Sequence, residues 1–281
     1  MREIDSGSVC MAVVLPNGFE TLIFQHVPKT AGSTMHPIIG RCFRRKDTLS
    51  VFGAGFESES VRKLIELADE EKRRLRLIKG HLPFGLHEYL PQRTAYVTVL
   101  RHPVGRVQSL YRYIVKNPAN PLHEAVVRAG SLEAWIRSGI SPGANDGQVR
   151  WLTGEVRAVP FGETSTALLD AARRNVDTHF LHVGLTEQFD RSLLLLWKRL
   201  GLRGWPVYAR RNVARRDEAT SSSTPNQSRA IEEFNELDLI LYEEARERLD
   251  RDWSGWTEAD GALKTFRKLN GVFQWLYRPR R

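Results

Sequence analysis

Four short apolar runs rich in β-forming residues constrain this chain most: Thr21 to Val27, Leu75 to Lys79, Ala95 to Leu100 and Phe180 to Val183. Runs this continuous are the pattern of strands buried on both faces. Each is followed by turn chemistry, and helix-like stretches separate them. Ser60 to Arg74 carries Val61, Leu64, Ile65 and Ala68 at helical spacing, and Leu193 to Leu200 runs past Trp197. Strands alternating with helices predict an α/β fold whose parallel sheet is joined by right-handed crossovers. Functional groups are then expected at the carboxyl ends of the strands.

At 281 residues the chain can bury a full core, and one domain with a helical appendage is expected over residues 1–281. Ser131 to Arg157 carries Trp135 and Trp151 around SPGANDGQ, which predicts helices joined by a loop over the sheet. A polar, Ser-rich loop is expected over about 210–228, followed by helices over 230–281. In that last region Phe234, Leu237, Leu241, Ala245 and Leu249 predict an amphipathic helix from Glu232 to Leu249. No internal repeat or heptad pattern is visible.

The formal net charge is +9, which favours phosphate, sulfate or polyanionic partners. The basic residues are scattered from Arg41 to Arg281 rather than gathered with aromatics on one face, so nucleic acid is not expected as a partner. Two cysteines, Cys10 and Cys42, are too few for a disulfide framework and lack metal-ligand spacing, so no metal is expected. No apolar run approaches the roughly 20 residues that cross a bilayer. The amino terminus lacks the basic-then-apolar order of a signal peptide, so a cytoplasmic protein is expected. The closing stretch FRKLNGVFQWLYRPRR combines aromatics with arginines, a pattern compatible with a membrane surface and with a docked amphipathic helix alike.

The first candidate site is Ile23 to Thr34, IFQHVPKTAGST, an apolar strand entering a loop of small residues that opens a helix. Backbone N–H groups at such a helix start lack intrahelical partners and the dipole is positive, which suits a phosphate or sulfate. Ala31, Gly32 and Ser33 let an anion reach the backbone, Lys29 adds a mobile charge, and Thr30, Ser33 and Thr34 offer hydroxyls. The lysine precedes the small residues, so this is not a Walker A loop, and ATP hydrolysis is disfavoured. An ordinary strand–turn–helix junction also fits these residues taken alone.

Here the sequence resembles the 5′-phosphosulfate loop of sulfotransferases that use 3′-phosphoadenosine 5′-phosphosulfate (PAPS), especially the family of the heparan-sulfate and uronyl 2-O-sulfotransferases. A second strand leads into VLRHPVGRVQSLYRYI, residues 99–114. It is similar to the family segment whose Arg and Ser bind the nucleotide 3′-phosphate, and the resemblance assigns those roles to Arg101 and Ser109. Arg106 and Arg112 share the helix face of Ser109, as phosphate helpers or as solvated arginines. Asn145 to Gly154, Phe180 to Phe189 and Asp238 to Ala245 echo further family segments and are expected to serve the fold. The family's cofactor-closing loop makes Arg211, Arg215, Arg216 and Ser221 to Ser223 candidates to touch the nucleotide.

The resemblance implies a P-loop-kinase-like sheet, PAPS as sulfuryl donor, 3′,5′-phosphoadenosine (PAP) as product, and a hydroxyl acceptor, expected to be a carbohydrate. Lys29 is then expected to neutralise the bridging oxygen as PAP leaves. His81, in the segment KGH after the second apolar run, is the expected general base, since imidazole titrates near working pH. The family has HGH there, so Lys79 replaces its first histidine. His36, His87, Glu88 and His102 are rivals as base. A P-loop kinase using ATP and a non-enzymatic basic module for nucleic acid or anionic lipid are the competing functions.

Overall fold

The structure is a computed structural model that describes residues 13–209 and 224–277. The described residues form a five-stranded, all-parallel sheet: β1 (Thr21–Gln25), β2 (Thr48–Phe52), β3 (Leu77–His81), β4 (Thr94–Leu100) and β5 (Phe180–Leu185), in the order β2-β3-β1-β4-β5. Helices flank it, so the expected α/β class with a parallel sheet flanked by helices is what forms. The four apolar runs are β1, β3, β4 and β5. β1 is buried at every position because it lies in the middle of the sheet between β3 and β4.

β2 is the strand that the apolar pattern misses. It lies at the sheet edge, and of Thr48–Phe52 only Val51 is buried, so its sequence carries neither a continuous run nor a clean alternation.

α1 (Gly32–Gly40) follows β1. The helix expected from Ser60 to Arg74 is two helices, α2 (Glu59–Glu66) and α3 (Asp69–Arg74), because Leu67 and Ala68 adopt extended backbone between them. β4 runs into α4 (Pro103–Val115), with Pro103 in the first turn where its missing N–H costs nothing. α5 (His123–Ala129), α6 (Leu132–Arg137) and α7 (Gly147–Thr153) fill the middle segment, Trp135 lying in α6 and Trp151 in α7. α8 (Thr166–His179) precedes β5 and α9 (Phe189–Arg199) follows it.

Of the polar loop expected over about 210–228, residues 225–228 are helical, for α10 (Pro225–Glu233) begins after the capping box of Thr224 and Gln227. Residues 210–223, with Arg211, Arg215, Arg216 and Ser221 to Ser223, lie outside the described residues. The helix expected from Glu232 to Leu249 is interrupted at Phe234 and Asn235 and continues as α11 (Glu236–Ser254). Asn235 is buried there, its side-chain amide donating to the carbonyls of Ala144 and Ile231. α12 (Ala259–Leu276) docks through Leu263, Phe266 and Asn270 and leaves Val272, Trp275 and Leu276 exposed.

Parallel strands all end on the same edge. His26 after β1, His81 ending β3, Arg101 after β4 and Thr186 after β5 are thereby brought to one rim, where ligands of open α/β sheets bind.

Candidate active site

The loop between β1 and α1 holds two non-glycine residues in the left-handed region, Lys29 at φ 72° and Ala31 at φ 64°. Such backbone costs about 1–3 kcal/mol per residue and persists where the surroundings over-determine it. Left-handed residues on either side of Thr30 are the backbone from which anion-binding concavities are built. The N–H groups of Thr34 and Met35 both find the carbonyl of Ala31, so helical pairing begins after Gly32 and Ser33. At Gly32 a Cβ would fall 1.8 Å from His26 Nε2, so the position admits only glycine while that ring stays in place.

Lys29, Ala31, Gly32, Ser33 and Thr34 line a cavity of ≈ 1150 Å³. Thr30 does not face it. Its side chain is buried and its hydroxyl donates to the carbonyl of Val27 at 2.7 Å, closing the turn. Lys29 Nζ stands 4.4 Å above the ring of Tyr113, which lines the same cavity. Burial first, and then the Arg101 and Arg112 charges, lower the pKa of Lys29.

Arg101 and Ser109 reach this cavity from the next strand-to-helix turn. The Arg101 guanidinium folds back over the first turn of α4, so close that a Cβ at Gly105 would meet its Nε at 3.2 Å. Its Nη1 donates to the carbonyl of Lys29 at 3.3 Å and ties the two turns together. The backbone of Arg101 is gripped by buried Gln148, which accepts from its N–H at 2.8 Å and donates to its carbonyl at 2.9 Å. Gln148 is held in turn, since the Asp238 carboxylate accepts from the N–H groups of Gln148 and Val149 at the start of α7. The echoes at Asn145 to Gly154 and Asp238 to Ala245 therefore form the scaffold under Arg101.

Arg106 belongs to that scaffold too and not to the phosphate site. It is fully buried, donating to the carbonyl of Gly143 at 2.8 Å and lying 3.7 Å from Asp238. Nearby, burial and the Asp238 charge push the Asp146 carboxyl above the usual carboxylate range. Glu187, from the echo at Phe180 to Phe189, accepts from the N–H of His102 at 3.1 Å and from the Tyr242 hydroxyl at 3.1 Å, fixing the start of α4.

His81 lines the cavity at the end of β3. Its Nδ1 lies 2.8 Å from the carbonyl of His26, and because that oxygen only accepts, Nδ1 carries the proton and Nε2 the lone pair. Burial is the main cause that lowers its pKa, and Lys29 adds to the effect. The result is a neutral imidazole with a basic nitrogen. Among the rivals, His36 sits behind His26, with Nε2 3.1 Å from His26 Nδ1. His87 is engaged with the Tyr96 hydroxyl at 3.2 Å, His102 packs edge-on to Tyr242, and Glu88 is exposed. None of these four lines the cavity. Beside His81, at the end of edge strand β2, Phe52 is 58% exposed, with its ring centroid 6.4 Å from that of the imidazole.

Residues that the sequence reading did not single out complete the walls. His26 lies inside the quoted motif, but its part depends on β1 lying beside β3. Thr186 to Arg191 come from the turn after β5, and Tyr208, Leu263 and Arg267 from the carboxyl-terminal third. Asp190 joins them, accepting from the Tyr208 hydroxyl at 2.8 Å and from Arg267 Nε at 3.2 Å.

An anion cradle and a neutral base on one cavity are the equipment of a group-transfer enzyme working on an anionic donor. Residues 8–254 match the model of the galactose-3-O-sulfotransferase family, and the chain belongs to that family. It is 28% identical over 254 residues to galactose-3-O-sulfotransferase 3 of Homo sapiens, covering 79% of this chain and 54% of that protein. The Bos taurus protein of the same name is also 28% identical, with 79% and 55% covered. The chain thus spans about half the length of these curated relatives. A mouse sulfotransferase, SULT7A1, solved in complex with PAP, aligns with 13% identity and a TM-score of 0.36 over 89% of this chain and 88% of that one.

The matches to galactose-3-O-sulfotransferases bear out the sulfotransferase resemblance, and they do not show the heparan-sulfate and uronyl 2-O members that the motifs resemble. They also overturn the expected cytoplasmic location, since the galactose-3-O-sulfotransferases are Golgi membrane enzymes. Among the described residues no helix is long and apolar enough to cross a membrane.

Proposed function

We propose that this chain transfers the sulfuryl group of PAPS to a carbohydrate hydroxyl, the 3-hydroxyl of a galactose residue being the acceptor that the family points to. The observation that carries the reading is the convergence of Lys29, Gly32, Ser33, Arg101, Ser109 and His81 on a single cavity. The donor set fits PAPS: the left-handed loop and the helix start, with Lys29, Ser33 and Thr34 on the cavity, suit the 5′-phosphosulfate, and a second cationic turn is available for the 3′-phosphate.

PAPS supplies the sulfur electrophile: its bond to the 5′-phosphate oxygen breaks as the acceptor oxygen bonds to sulfur, and PAP departs. Around that exchange the loop N–H groups and the hydroxyls of Ser33 and Thr34 hold the sulfate and phosphate oxygens. Lys29 offsets the charge that grows on the bridging oxygen, an interaction strongest in the transition state. Arg101 and Ser109 bind the 3′-phosphate with charge-assisted and hydroxyl hydrogen bonds. His81 accepts the acceptor's proton at Nε2, for which its tautomer is already set.

The test is transfer of label from radiolabelled PAPS to β-galactosides, paired with calorimetry and melting curves for PAP. Transfer is expected, with PAP raising the melting temperature and ATP raising it much less, because a ligand that binds only the native state stabilises it. Equal shifts by ATP and PAP would remove the case for a 3′-phosphate site.

A further inference from the structure

We propose that His26 is a positioning residue for His81, a plate that locks the base against the donor loop and keeps water from its buried face. The proposal rests on the reading of His81 as the base. Its ground is that three residues, His81, His36 and Gly32, meet on one ring. The His26 imidazole stacks on His81 with centroids 4.1 Å apart and planes 25° from parallel. Its Nδ1 is 3.1 Å from Nε2 of His36 on α1. Its Nε2 edge lies against Gly32, where a Cβ would fall 1.8 Å away. The carbonyl of the same residue accepts from His81 Nδ1 at 2.8 Å.

This placement removes His26 as a base of its own, although it lines the cavity. One ring nitrogen is taken by His36 and the other faces the helix start. What remains is its face, which covers one side of His81. The ring is also the reason that the loop must carry glycine at 32, so donor cradle and base are built to a common gauge.

Charge agrees with this role. Burial, and then His81, His36 and Lys29, drive the His26 pKa down to about 2, so the plate is neutral at any working pH. The other charged or titratable groups around His81 are Lys29 from the loop, His36 from α1 and Lys79 from its own strand. Phe52 and Trp151 face it with uncharged rings. Removing the plate therefore hydrates His81 without deleting a charge.

The experiment follows the His81 ring by NMR titration in the PAP-free full chain, alongside the pH profile of kcat. His26→Ala is expected to raise the His81 pKa by about one unit or more toward the ordinary histidine value, because desolvation is what holds it down. The acid limb of kcat moves up with it, kcat falls roughly tenfold, and PAP affinity stays within about threefold. His26→Phe keeps a flat ring over His81 and is expected to leave the titration near that of the wild type. If His26→Ala does not fold, His26→Leu carries the same measurement. A His81 titration that stays put in both the Ala and Leu variants overturns the proposal, as does His26→Phe behaving like His26→Ala. Wild-type protein that moves no sulfuryl group brings down the transferase reading and this proposal with it. Transfer combined with an unmoved titration brings down the proposal alone.

Discussion

Arg101, between β4 and α4, and Arg106, in the first turn of α4, are near neighbours in sequence, yet they belong to different kinds of structure. Arg101 reaches the cavity, and its guanidinium makes one long bond, to the carbonyl of Lys29 at 3.3 Å. Arg106 is sealed against Gly143 and Asp238, in a layer where Asp238, Asn235, Gln148 and Arg150 are also buried. One region turns its donors to an open cavity, while the other turns its donors and acceptors inward, with Arg106 Nε buried there without a hydrogen-bond partner. Both are rich in polar groups, and the lesson is that cationic composition does not separate a binding surface from the frame behind it. Hydrogen-bonding capacity that faces the cavity does.

Breaking the frame has the largest expected effect. Arg106→Ala leaves the Asp238 carboxylate buried without its cation, and removing one partner of a buried pair costs about 3–5 kcal/mol. In thermal unfolding that is a fall in melting temperature on the order of 10 °C for a chain of this size. A melting point within a degree or two of wild type would show that the carboxylate is satisfied by the N–H groups of Gln148 and Val149 alone.

On the cavity side the expected effect is on rate and not on stability. His81→Ala is expected to lower turnover by roughly 10², the usual range for losing a general base, with PAP affinity within about threefold. Burial holds the His81 pKa below 6.5, so wild-type turnover stays up at neutral pH and falls as pH drops through that lowered value. The limb vanishes in the variant. An unchanged pH profile in active His81→Ala enzyme would move the role of base to another group.

How far this contrast was legible in the sequence follows from how local each feature is. β1, β3, β4 and β5 showed because buried parallel strands are continuous apolar runs. The kink at Leu67 and Ala68 did not show, because helical spacing continues through it and only backbone geometry breaks. Lys29, Ala31 to Thr34, Arg101, Ser109 and His81 were legible as strand-end residues and through family resemblance, and all line the cavity. Thr30 shared that signal but is spent on Val27. The burial of Arg106 was not legible, since Asp238 lies 132 positions away and nothing in a helix face announces such a partner. The same holds for His26, which meets His81 only because Gln25 pairs with Gly80 across β1 and β3.

Arg101→Ala sharpens the comparison at a smaller scale, as the counterpart of Arg106→Ala across the same strand-to-helix junction. Loss of a charge-assisted hydrogen bond is expected to weaken PAP by about 1–3 kcal/mol while leaving the melting temperature of the free protein nearly unchanged. Adenosine 5′-phosphosulfate, which lacks the 3′-phosphate, is expected to bind the variant and the wild type alike. Calorimetry with both nucleotides decides it. Equal weakening of the two would assign Arg101 to the 5′ side or to holding Lys29.

The smallest effect is expected at Phe52, on the strand that the sequence hid. β2 approaches β3 so closely that a Cβ at Gly80 would lie 1.8 Å from the carbonyl oxygen of Val51. The register is thereby fixed with Phe52 opposite His81. An aromatic face left 58% exposed beside the base is a surface on which the C–H face of a pyranose can rest while its hydroxyl meets Nε2. Deleting that ring is expected to remove about 1 kcal/mol of contact, the scale of an aromatic packing interaction, and so to raise acceptor KM roughly fivefold. Its effect on kcat and on PAP affinity is expected to be slight, because Phe52 is not among the residues that line the cavity with the donor loop and Arg101. Phe52→Trp keeps the face and is expected to restore the wild-type KM. Steady-state kinetics with a β-galactoside at saturating PAPS makes the measurement. If Phe52→Ala lowers kcat at constant KM, the ring steadies His81 and the acceptor approaches from elsewhere along the rim.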